Sequence, residues 1–221
     1  MPKFLPNSQL THVQELVLAA FFDRERGFFL TGGAALAGFY IGHRRTDDLD
    51  LFTTDADAFE RGRFVVTDVA QHLNAQVVTR QEAPGFRRML LTMADGASLV
   101  IDLVRDAGVQ TFPQKLEFDQ IIVDSIEEIL VNKLTAIVGR AEERDLVDLY
   151  FLAASGLSIV RALPAAEAKD GGCTPANLAW LLSEVDIPDG ITLPAQLSAA
   201  TLRAFVAELI VTLRRLALPA R

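Results

Sequence analysis

The stretch Asp48-Leu49-Asp50-Leu51-Phe52 limits the fold more than any other part of the chain. Acid and apolar residues alternate, and a period of two belongs to the β-strand, whose successive side chains point to opposite faces. Leu49 and Leu51 therefore share a face fit for a core, and Asp48 and Asp50 share the other. A sheet must exist, and it must carry two carboxylates side by side. Two such anions repel unless a cation joins them. A hard, oxygen-seeking Mg²⁺ is the natural joint, above all where substrate phosphates complete its coordination.

Patterns around this strand extend the reading. Residues 8–26 place Leu10, Val13, Leu16, Val17 and Ala20 at helical spacing, and residues 28–33, FFLTGG, read as a buried strand ending in a glycine turn. A helix follows at 34–42. The pair Gly32-Gly33 then offers backbone N–H groups at a helix start, a setting for phosphate. Residues 58–73 are helical, while 75–81 and 86–93 are strand-like. Residues 98–106, SLVIDLVRD, form an apolar run with one carboxylate, Asp102, in its middle. Asp102 is the one mid-strand candidate for a third acid, able to complete a two-metal site or accept a proton. Plainer readings stand beside these: a structural Gly-Gly turn, a solvated acidic face, and Asp102 paired with Arg105 or another base.

From Ser125 onward the pattern turns helical, at 125–140, 142–155, 174–185 and from Leu197 to Leu218, with a Gly- and Pro-containing linker between the second and third. The expected division is an α/β core at 1–124 and a helical region at 125–221. Half of the 221 residues are hydrophobic, enough for a substantial core. The lone Cys173 excludes an internal disulfide framework and a multi-cysteine zinc site. The start MPKFLPNSQL has no apolar signal-peptide core, which points to the cytoplasm. Arg or Pro interrupts every apolar run before about 18 residues, so no membrane span is expected. The net charge of −8 confines any nucleic-acid contact to a local patch. A patch of that kind is offered by Arg80, Arg87 and Arg88, for which a solvated sheet face is the plainer reading. Trp180, flanked by Leu178, Leu181 and Leu182, reads as core packing.

The segment Gly32–Phe52 resembles the first motif of nucleotidyltransferases with the DNA polymerase β-like fold, Gly-Gly followed by Asp-x-Asp. More narrowly, GHRRTDDLDLF at 42–52 and NKLTAIVGRAEERDLVDLYFL at 132–152 resemble the AbiEii/AbiGii toxin family of type IV toxin–antitoxin systems. The resemblance implies an α/β (α+β) fold, a mixed sheet with flanking helices followed by an α-helical region. It implies an NTP-dependent transferase acting on RNA, with transfer RNA 3′ ends the leading acceptor, as well as Mg²⁺ and a cognate antitoxin; a small-molecule or protein acceptor, or an inactive nucleotide- or partner-binding module, is the alternative. Residue by residue, it assigns Asp48, Asp50 and Asp102 to metal. It gives Gly32 and Gly33 to the phosphates and Lys133, Arg140, Asp145 and Asp148 to the second motif, with Lys133 also catalytic beside the three acids; Arg45, Thr46 and Arg144 are further nucleotide candidates. If 133–148 were one helix, Lys133, Arg140 and Arg144 would lie within about 40° of one another and form a basic stripe, with Asp148 orienting Arg144. Gly139 can split that helix.

Overall fold

The computed structural model describes residues 4–218 and divides into two compact units. The first comprises residues up to Gly108 together with Gln114–Ser125, and the second comprises Val109–Pro113 and everything from Ile126. Part of the start segment, Met1–Lys3, lies outside the described residues.

In the first unit, α1 (His12–Phe22) opens on a capping box in which Thr11 and Gln14 exchange side-chain and backbone hydrogen bonds. β1 (Phe29–Thr31) runs straight into α2 (Gly32–Ala35), which widens into a π turn at Leu36–Tyr40 instead of continuing as the plain helix expected at 34–42. β2 (Asp48–Thr53), α3 (Ala56–His72), β3 (Gln76–Ala83), β4 (Phe86–Thr92) and β5 (Ser98–Arg105) follow as the periodicity predicts. Two further strands, β6 (Lys115–Phe118) and β7 (Ile121–Asp124), were not foreseen. Each has four residues, too few for a periodic signal.

The seven strands form one mixed sheet in the order β3-β4-β5-β2-β1-β7-β6. β2 runs parallel to β5 and antiparallel to β1, β1 runs parallel to β7, and the β3-β4, β4-β5 and β6-β7 pairs are antiparallel. One face supplies Leu30, Leu49, Leu51, Met89, Leu91, Ile101 and Leu103, all buried, against Val17, Leu18, Phe21 and Phe22 of α1 and Phe59, Val66 and Val69 of α3. Burying one such side chain stabilises by about 1.5–3 kcal/mol. Sliding β2 by one residue would drive Asp48 and Asp50 into this layer, so packing on one face fixes what the opposite face displays.

The second unit is helical: α4 (Ile126–Gly139), α5 (Glu143–Ala154), α6 (Ile159–Lys169), α7 (Pro175–Ser183) and α8 (Ala199–Leu216). The expected linker corresponds to α6. Its hydroxyl cap, Ser158, accepts from the Arg161 N–H, and the helix contains Pro164, the residue that disguised it. Buried Leu130, Leu134, Leu149, Leu163, Leu182, Leu202 and Leu209 make its core. Trp180 stands 60% exposed, so the packing role expected of it falls to Leu178 and Leu182.

Candidate active site on the open face of the sheet

Register assembles the acids. Asp50 of β2 lies directly beside Asp102 of β5, and Asp48 is two residues back on the same face of β2. One ligand oxygen from each of Asp48, Asp50 and Asp102 lies within 4.8 Å of the others. Three carboxylates this close repel one another unless positive charge joins them, and their oxygens are donors that could hold a hard divalent cation.

The glycine turn touches this cluster. Gly32 has φ +66°, the left-handed region, and a Cβ there would run into Oδ2 of Asp50. Conformation and space both demand glycine. At Gly33 an added Cβ would meet Nη2 of Arg44, so the Arg44 guanidinium lies over the turn. Beneath it, Thr31 donates its hydroxyl to the fully buried Asp124 at 2.8 Å, and Lys115 pairs with the same carboxylate at 2.6 Å.

Asp48 is set from behind. The Gln14 amide, buried after serving the α1 cap, donates to the carbonyls of Thr46 (3.0 Å) and Asp48 (3.3 Å). The Thr46 hydroxyl donates to the Asp48 carbonyl at 2.8 Å. Thr46 is thus buried and acts as a strut, while Arg45 is exposed. Sequence reasoning missed Gln14 altogether, since its contact with Asp48 spans 34 positions.

It also misread the arginines of β4. Alternation sends Arg87 and Arg88 to opposite faces, so they form no common patch. Arg87 is buried and bonded to Glu82, with its guanidinium 5.0 Å from the centre of the Phe59 ring. Arg88 lies across from Asp102 and donates Nε–H to Oδ1 at 2.8 Å and Nη2–H to Oδ2 at 2.6 Å. Of the bases considered as partners of Asp102, the one found is Arg88 and not Arg105.

The second motif forms its own cluster in the second unit. The helix that would carry a basic stripe breaks between Gly139 and Glu143, where Ala141 adopts φ 45°. Arg144 then pairs with Glu142 at 2.6 Å, and Asp148 pairs with Lys133 at 2.7 Å. Lys133 is buried and also bonds Asp145 at 2.9 Å, which accepts from Arg140 as well. Burial pushes the Asp145 carboxyl upward, but the Lys133 charge and the hydrogen bonds from Arg140 and Lys133 outweigh it and hold the group below its ordinary value. Cys173 is fully buried and burial pushes its thiol up to about 11, so it is no nucleophile at neutral pH.

Comparison with known proteins adds to this geometry. Two crystal structures from Helicobacter pylori share the fold. One, a candidate nucleotidyltransferase, matches with TM-score 0.55 and 18% identity over 94% of this chain and 96% of its own. The other, JHP933, matches with TM-score 0.52 and 19% identity over 93% and 92%. No curated protein matches the sequence. The mixed sheet is thus a fold shared with these two structures. The chain belongs to the AbiEii family, the nucleotidyl transferase toxins of type IV toxin–antitoxin systems, whose family model matches residues 16–215. Membership implies a nucleotide substrate and an antitoxin partner. Among the described residues, no helix is long and apolar enough to cross a membrane.

Proposed function

We propose that this toxin transfers a nucleoside monophosphate from an NTP to a hydroxyl of RNA, with transfer RNA 3′ ends as the leading acceptor. One observation carries the reading: register brings Asp48, Asp50 and Asp102 within 4.8 Å on a single sheet face. These three oxygen donors fit Mg²⁺, in one or two ions, which when bound stabilises charge on the phosphoryl oxygens.

The protein's own groups do the rest. N–H groups of the Gly32-Gly33 turn and the Arg44 guanidinium bind and orient the triphosphate. Asp102 accepts the proton of the acceptor hydroxyl as its oxygen bonds to the α-phosphorus; the bond from that phosphorus to the β-phosphate oxygen breaks, and pyrophosphate leaves. In the second unit, Arg140 has a side chain 45% exposed, is anchored with Lys133 on the buried Asp145, and is the second motif's candidate for binding phosphate. The net charge of −8 confines RNA to a local contact, and a cytoplasmic location, where NTPs and RNA meet, goes with this function.

The test incubates the protein with Mg²⁺, total RNA and each α-labelled NTP in turn. Label should appear on RNA with one nucleotide and vanish with Asp48→Ala/Asp50→Ala. Label on protein or small molecules instead would replace the acceptor, and no label anywhere would overturn the reading.

A further inference from the structure

Both oxygens of Asp102 are already engaged by one rigid fork. Arg88 stands opposite it in the β4-β5 pair, and the two hydrogen bonds, 2.8 and 2.6 Å, run from separate nitrogens to separate oxygens. Bidentate guanidinium–carboxylate pairs are among the stronger polar contacts in proteins. The partners differ in freedom, since the Arg88 side chain is 44% exposed and that of Asp102 only 6%. Asp102 stays while Arg88 is free to swing toward solvent.

The guanidinium also answers to the whole cluster. Its proton affinity is raised first by the Asp102 hydrogen bond, against the cost of burial, and then by the charges of Asp102, Asp48 and Asp50. A divalent cation seeking Asp102 needs the same oxygens and is repelled by the same positive head. Asp48 and Asp50 project from another strand, so a cation can be held there while the fork keeps Asp102.

We propose that Arg88 is a tethered counter-cation that holds Asp102 in reserve, so that a cation held by Asp48 and Asp50 binds with the fork in place whereas coordination by Asp102 requires Arg88 to let go. Arg88 is then a positioning residue that sets the order in which the acidic cluster fills. The inference rests on the metal-binding role proposed above for the three aspartates. It makes completion of the site conditional on displacing an internal cation, a step that bound triphosphate favours by offering the freed fork phosphate oxygens.

Titration of the full chain with Mn²⁺, followed by its electron paramagnetic resonance signal without nucleotide, tests this. The Arg88→Ala protein should bind its weaker Mn²⁺ about tenfold more tightly than wild type, the scale of one hydrogen-bonded charge contact. Arg88→Lys, which keeps the charge without the fork, should fall between. Adding Asp102→Asn to Arg88→Ala should abolish the gain. A prop for Asp102 would behave oppositely, so unchanged or weaker binding by both Arg88 variants overturns the inference while leaving the metal role intact. Absence of binding in wild type and in every variant overturns both. Circular dichroism of each variant confirms the fold, and Arg88→Lys decides the matter if Arg88→Ala fails to fold.

Discussion

At the scale of single residues, the two turn glycines look alike in sequence and differ in what they can tolerate. Gly32 combines φ +66° with an added Cβ striking Asp50, whereas Gly33 would meet only the far end of the Arg44 side chain. Gly32→Ala should cost about 1–2 kcal/mol for its left-handed backbone alone, and should displace Asp50. Gly33→Ala should cost far less, because an arginine tip moves easily, while still disturbing the proposed phosphate contact. Thermal unfolding of the two variants checks the contrast; equal losses would mean that Gly32 does not hold the left-handed conformation that sets it apart from Gly33.

Elements show why some of the site was legible and some was not. Period two in DLDLF revealed the strand and its acidic face, and Asp102 was visible because a carboxylate in an apolar run is conspicuous. The third acid needed only that β2 and β5 be neighbours. Arg88 was harder. Asp95-Gly96 is a turn signal, but a two-residue turn there would set Arg88 opposite Leu103; the three-residue loop Ala94-Asp95-Gly96 shifts the register by one and sets it opposite Asp102. What no local pattern carries is Gln14 reaching Asp48, or four-residue strands such as β6 and β7. The helical break after Gly139 was marked by its glycine, and it changes the meaning of the second motif. Lys133, expected on a basic stripe, is locked between Asp145 and Asp148, both fully buried. Lys133→Met should therefore cost about 3–5 kcal/mol in urea unfolding, the penalty for stripping a buried charge pair of one partner. Arg144→Ala, which loses only a half-exposed pair with Glu142, should cost under about 1 kcal/mol. Similar losses in the two variants would refute the buried clamp.

For the molecule as a whole, the same kind of anchoring recurs in both units and sets how stability responds to acid. In the first unit, burial would raise the Glu25 carboxyl, but Arg61 and the Gly27 N–H hold it below its ordinary value. In the second, burial likewise opposes Glu128, which is held low by Lys169 at 2.6 Å and by the Thr111 hydroxyl and Phe112 N–H, each at 2.7 Å. Those bonds tie the segment Val109–Pro113 and α6 to α4. Asp145 behaves the same way. A carboxyl whose folded pKa lies below its unfolded value binds fewer protons when folded, so its stabilisation is complete above the unfolded value and is lost as pH falls through the folded one. The ordinary values are 4.5 for Glu128 and 3.8 for Asp145, which puts the loss at lower pH still. Melting temperature should be nearly level from pH 7 to about 5 and fall steeply below about 4.5. Glu128→Gln supplies the internal control. It removes the ion pair with Lys169 and so should melt below wild type at pH 7, but it has no carboxyl to protonate at that position. The gap between the two proteins should close as pH drops, because acid does to wild type what the substitution has already done. A gap of constant size down to pH 3 would show that Glu128 is not among the groups whose protonation unfolds the protein.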